Sequence, residues 1–183
     1  MAIDILSLII AAAFTNNIVL TNFLGVNEII DSPAQIKHAK VLAILVSSTL
    51  IISSVFVFPV HNFLTNINML FLQNIVLIII VIAFSKAITA HKKTNTLGIK
   101  PHIVVINSVL LGTFLINPLY GQGTIIFRSL GVSIGFSFLI YIFTTIRIRL
   151  QISKVPKSFV GMPIHLIVMA FMAMAFRGFL GIG

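Results

Sequence analysis

Two stretches set small polar side chains inside apolar runs: Thr15–Asn27, reading TNNIVLTNFLGVN, and Ile106–Asn117, reading INSVLLGTFLIN. Slid by 91 positions (107 less 16), they correspond: Asn16 with Asn107, Asn17 with Ser108, Leu20 with Leu111, Phe23 with Phe114, Leu24 with Leu115. An amide in hydrocarbon costs several kcal/mol unless a partner satisfies it. A pair of interrupted apolar segments, one in each half of a chain, is the sequence pattern of a functional centre at mid-membrane. The residues that would build it are Asn16, Asn17, Gly25, Asn107 and Gly112. A plainer reading stands beside it, in which amide-bearing helices hydrogen-bond to neighbours only to pack.

The elements that must position these residues are membrane helices. The chain has 183 residues, is 58% hydrophobic and 8% charged, and has a mean hydropathy of +1.16. Soluble domains carry about 25% charged residues, so an integral membrane protein is expected. Its apolar runs are of helix-spanning length, not the shorter alternating runs of a β-barrel. Asp4 and the continuation into TNN argue against a cleaved signal peptide. Little chain is left for a soluble catalytic domain. The net charge of +9 comes from basic residues in short loops, which set orientation and do not point to nucleic acid. There is no cysteine, so this chain by itself supplies no disulfide and no thiolate-held metal or cluster.

The pattern predicts an all-α protein with six spans in one membrane domain, residues 1–183. The spans are placed at about 3–24, 41–58 (ended by Pro59), 69–90, 102–117 (between Pro101 and Pro118), 124–146 and 162–180. The fourth reaches only about 24 Å, short of the roughly 30 Å hydrocarbon core, which suits a broken or re-entrant helix. Lys37, Lys40, Lys92, Lys93, Lys100, Arg147, Arg149, Lys154 and Lys157 all fall in the first, third and fifth loops. The positive-inside bias then leaves both termini outside. Three spans per half make the second copy enter from the opposite side. The domain therefore reads as two inverted three-helix repeats, about 1–95 and 96–183, with helices 1 and 4 interrupted near mid-membrane.

Three boxes carry a family resemblance: Asn16, Asn17, Phe23, Leu24 and Gly25; Leu97, Gly98, Ile99, Asn107, Leu111 and Gly112; and Val155, Pro156, Phe159 and Gly161. With these, the whole chain resembles the A subunit of the Rnf ion-translocating electron-transport complex, a paralogue of the E subunit of the Na⁺-translocating NADH:quinone reductase. The resemblance implies an oppositely oriented paralogous partner and an iron–sulfur cluster held between the two subunits. It also implies flavins in partner subunits and electron transfer coupled to Na⁺ or H⁺ movement across a bacterial cytoplasmic (inner) membrane. The family's two cysteine positions fall on Asn27 and Ser108 here. Neither side chain is a thiolate, so a cysteine-less subunit is expected to supply no cluster ligand. It would be a non-catalytic or electron-relay member of the complex. Lys86 stands where the family tends to carry an embedded Glu, and Ile148 interrupts what is usually an R-E-R triplet.

The remaining residues suggest less. Gly131 and Gly135 form a small-xxx-small pattern expected to pack helices closely, with a partner's helix as one candidate neighbour. His38, His61, His91, His102 and His165 lack metal-ligand spacing, and His165 is expected to be a packing residue. Asp4, Glu28 and Asp31 are the only acids and are expected at membrane edges, leaving no embedded carboxylate for a stand-alone ion pump. Arg128, Arg177 and Lys86 near span ends are expected to snorkel. Two rival functions share the size and span count. One is the substrate-binding membrane component of an energy-coupling-factor vitamin transporter, whose small-residue docking motif Ala11, Ala12 and Ala13 could mimic. The other is a structural scaffold within a larger assembly.

Overall fold

A computed structural model describes residues 5–90, 107–115 and 124–178. Among these residues every regular element is helical. In chain order they are α1 (Ile5–Ile10), a π turn (Ala11–Thr15), α2 (Ile18–Asn22), α3 (Val26–Asp31), α4 (Ile36–Asn66), a 3₁₀ turn (Leu70–Leu72) and α5 (Gln73–Thr89). They continue with α6 (Ser108–Leu115), α7 (Thr124–Ile152), a 3₁₀ turn (Lys157–Phe159) and α8 (Met162–Arg177). Among the described residues, three stretches are long and apolar enough to cross a membrane: Ile36–Asn66, Leu70–Ile88 and Thr124–Ile152. Ile5–Thr15 and Met162–Arg177 are shorter apolar helices. The described part of the fourth expected span is α6 alone; its Pro101 and Pro118 boundaries, the LGI box and the junction of the two repeats lie outside the described residues.

α7 organises the core. Phe136, Leu139, Ile140 and Phe143 on it are fully buried, against Leu42, Val46 and Leu50 of α4, Val19 of α2 and Met169 of α8. Ser47 Oγ of α4 lies 3.1 Å from Ser137 Oγ of α7 and donates to the Ser133 carbonyl at 3.4 Å. Ala39 and Lys40, near the start of α4, share a groove with Tyr141, near the end of α7. The two long helices are thus antiparallel, and Lys37 and Lys40 lie at the same end of the bundle as Arg147 and Arg149.

Several expected boundaries move. Pro59 does not stop α4, which runs on to Asn66. Proline removes one intrahelical donor and crowds the carbonyl four residues back, but packing of Val57 and Leu64 on either side holds the helix together. The first loop, expected from Gly25 to Lys40, contains α3 and the first turn of α4. α7 extends past Ile146 to Ile152, so Arg147 and Arg149 are helical.

Candidate functional site

The first interruption is built by Asn17. Five residues of π geometry shift the ladder by one, and the Asn16 N–H donates to the Ala11 carbonyl at 2.7 Å. A π turn leaves carbonyls without their usual donors. Asn17 Nδ2 reaches back to one of them, donating to Ala13 O at 2.8 Å. Its Oδ1 reaches forward, accepting from the Val19 N–H at 3.0 Å as the N-cap of α2. One buried amide therefore closes both sides of the break. Asn16 is exposed and takes no such part.

The second segment repeats the forward half of this device. Asn107 is buried, and its Oδ1 accepts from the Val109 N–H at 2.9 Å ahead of α6. This pairs Asn107 with Asn17, one position off the sequence offset, which had matched it to Asn16. Among the described residues, Asn107 Nδ2 has no hydrogen-bond partner.

α2 ends in a turn in which Phe23 (φ 56°) and Gly25 (φ 81°) are both left-handed. Gly25 is required twice. Its φ disfavours a side chain, and a Cβ there would collide with Val109 of α6. The backbones of the two interrupted segments come close enough here for the Gly25 N–H to donate to Ser108 Oγ at 2.7 Å. Gly112 is buried one turn further along α6.

α3 follows at once and turns Glu28 into this junction. The residue is only 9% exposed. Oε1 accepts from the Ser108 N–H at 2.8 Å and from Ser108 Oγ at 3.2 Å. A carboxylate at the N-terminus of α6 meets backbone donors that lack helical partners and the positive end of the helix dipole. The chain Gly25 N–H, Ser108 Oγ, Glu28 carboxylate is thus a charge-assisted hydrogen-bond network joining the two segments. Glu28, expected only as a loop acid at a membrane edge, is buried within the protein at this junction.

Arg147 of α7 fixes α3 from its other end. Nη1 donates to the carbonyls of Ile29 (3.0 Å) and Ser32 (2.9 Å), capping the helix where a cation is favoured. Its guanidinium carbon also stands 5.9 Å from the centroid of the Phe143 ring. Composition identified Arg147 only as an orientation signal, and Glu28 only as a loop acid. No spacing in the sequence links positions 28, 108 and 147.

The two glycines of α7 serve this site rather than an outside partner. A Cβ at Gly131 would lie 2.6 Å from the Ile9 carbonyl, and one at Gly135 would lie 2.7 Å from Asn17 Nδ2. Their absent side chains let α7 press on the π turn. Ala12 and Ala13 are buried in the same contact and are not free to dock an energising partner.

The junction does not fit an iron–sulfur cluster supplied by this chain. Of the two positions the resemblance assigns to ligands, Asn27 is an exposed amide on α3, and the Ser108 hydroxyl is engaged by Glu28 and Gly25. Such clusters are held by thiolates, for which a neutral amide and a hydroxyl are poor replacements.

Comparison with known proteins agrees with the helical, membrane character of the chain. The profile of the family described as "Rnf-Nqr subunit, membrane protein" matches residues 5–183. The A subunit of the Na⁺-translocating ferredoxin:NAD⁺ oxidoreductase complex of Acetobacterium woodii is 32% identical over 183 residues, covering 95% of each chain. The A subunit of an ion-translocating oxidoreductase complex of Actinobacillus pleuropneumoniae is 30% identical over 189 residues, covering 98% of each. The E subunit of the Na⁺-translocating NADH-quinone reductase of Chlamydia caviae is 28% identical, covering 98% of this chain and 76% of that one. A match along nearly its whole length, from the broken first helix to the last, makes this chain a member of the Rnf-Nqr family of membrane subunits.

Proposed function

We propose that the chain is the A-type membrane subunit of an Rnf-type ion-translocating oxidoreductase complex, with its own half-helix junction held by Glu28, Ser108 and Gly25 in place of cluster ligands. The observation that carries this reading is the Gly25–Ser108–Glu28 network, found at the meeting point of the two interrupted segments in a chain that matches the A subunits of such complexes end to end. Both segments use a buried asparagine whose Oδ1 accepts from the N–H two residues on, which supports two three-helix repeats inverted in the membrane. The clustering of basic residues at one end of α4 and α7 supports a cytoplasmic placement for that end. Both termini are then outside the inner membrane.

In this reading the chain works only with others: an oppositely oriented paralogue against the face carrying exposed Asn27, and flavin-bearing redox subunits beyond it. Its part is to complete the membrane unit and hold the broken helices in register. In this arrangement no electron passes through a cluster ligated by this chain. The vitamin-transporter alternative loses its main support, because Ala12 and Ala13 are buried against α7.

Purification of the complex through a tag on this chain, followed by identification of its components and iron and flavin analysis, tests the reading. Flavin-bearing subunits are expected to co-purify, with iron content unchanged by Asn27→Ala and Ser108→Ala. Co-purification with paired ATPases instead, or loss of iron in either variant, would overturn it.

A further inference from the structure

Where α7 ends and the chain turns back into α8, a cavity of about 410 Å³ opens, bordered by Arg147, Gln151, Ser153, Val160, Ile164 and His165. Its polar lining is a guanidinium, an amide, a hydroxyl and an imidazole, and among the described residues no carboxylate lines it. The acid whose charge reaches Arg147 is Asp31, which lies outside the lining. Among the described residues, Nε of Arg147 and Nδ1 of His165 have no hydrogen-bond partner, but both atoms are themselves closed off from solvent, so the cavity meets the remaining donors of these side chains together with Gln151 and Ser153. Both of the Arg147 hydrogen bonds among the described residues leave Nη1. The His165 ring is held edge-on to Phe143, with centroids 6.0 Å apart.

A cavity edged by a guanidinium, an amide, a hydroxyl and an imidazole, with no carboxylate among the described residues of its lining, suits an occupant with anionic oxygens. The wall is amphipathic, since Val160 and Ile164 face the same space as the donors, so the occupant needs an apolar portion as well. The surroundings add positive charge: exposed Arg149, Lys154 and Lys157 adjoin the cavity in sequence, and Lys37 and Lys40 lie at the same end of the bundle. An apolar spanning helix that runs into a basic turn is where the bilayer surface must lie. Basic pockets at that level suit anionic headgroups.

We propose that this cavity binds a phosphate oxyanion, presented by the headgroup of an anionic phospholipid seated between the end of α7 and the start of α8. The phosphate oxygens take the donors of Arg147, His165 and Gln151, while the glycerol portion rests against Val160 and Ile164. Because Arg147 also caps α3, an occupant would bear on the residue that holds Glu28 against Ser108.

The test is native mass spectrometry of the full-length chain in detergent, titrated with short-chain phosphatidylglycerol or phosphatidylcholine, and with inorganic phosphate as competitor. Arg147→Gln would also remove the α3 cap, so the informative variants are Gln151→Glu, which sets a carboxylate at the cavity mouth, and His165→Phe. Circular dichroism confirms that both fold. The expected result is roughly tenfold tighter binding of phosphatidylglycerol than of phosphatidylcholine, with that preference lost in both variants. Binding of inorganic phosphate that the variants abolish, without a preference between the two lipids, supports the same oxyanion site with a free phosphate as its source. Equal phosphatidylglycerol and phosphate binding by wild type and variants overturns the proposal.

Discussion

Single side chains decide whether the broken segments hold together. Asn17 satisfies one carbonyl behind the break and one N–H ahead of it. Asn17→Leu keeps the volume but leaves both groups unpaired in a buried place, and each unpaired group costs about 1–3 kcal/mol. A clear fall in the unfolding temperature in detergent is expected, with Asn16→Leu at its exposed position close to wild type. Glu28 separates hydrogen bonding from charge. Glu28→Gln retains an oxygen to accept from the Ser108 N–H and is expected to stay within about 1 kcal/mol of wild type. Glu28→Leu removes the acceptor and should cost about 1–3 kcal/mol. A thermal series in which both variants behave alike would show that the network is not what joins α3 to α6. Of the expected site residues, Asn17, Gly25, Asn107, Ser108 and Gly112 lie in or beside this junction, whereas Asn16 and Asn27 are exposed.

At the level of elements, the contact between α7 and the π turn sets how closely the first helix can approach the core. Gly131 and Gly135 meet the backbone carbonyls of Ile9 and Ala13 together with Ala12 Cβ and the hydrogen-bonded Asn17 amide. Backbone cannot move aside cheaply, and overpacking of this kind costs about 1–3 kcal/mol per site. Gly135→Leu is expected to displace α1 and the π turn from α7. Cross-linking of a cysteine pair placed at Ile9 and Leu130 would report this as a drop in yield, and unchanged yield would show that the glycines are not required. Sequence located the break at Asn16–Asn17 and the small-residue stripe at Gly131 and Gly135. It did not reveal that they belong to one contact, because periodicity describes each helix alone. The same limit hid α3: six residues between a Gly turn and a Ser-Pro stop are too few for a periodic signal.

For the molecule as a whole, sidedness is the most accessible expectation. The absence of cysteine provides a clean background for single-cysteine labelling in sealed inverted membrane vesicles. Lys154→Cys and Lys37→Cys should react with an impermeant maleimide added to the exposed cytoplasmic face, while Asn66→Cys should react only after the vesicles are opened. The reverse pattern would invert the topology. Clustering of these lysines with Arg147 and Arg149 follows from the antiparallel packing of α4 and α7, as the Ser47–Ser137 contact fixes their register.

Composition alone determined the membrane class and the helical architecture, because nearly every apolar run is too long and too continuous for anything else. The types and spacing of Asn16, Asn17, Asn107 and Ser108 located the two breaks, since amides inside such runs need partners. Only the tertiary structure decided which amides work, bringing Asn17 and Asn107 inside and leaving Asn16 in the open. Only it placed Glu28 and Arg147 at either end of α3. Residues 28, 108 and 147 are far apart in the chain, and their meeting depends on how the helices pack, which no local pattern records.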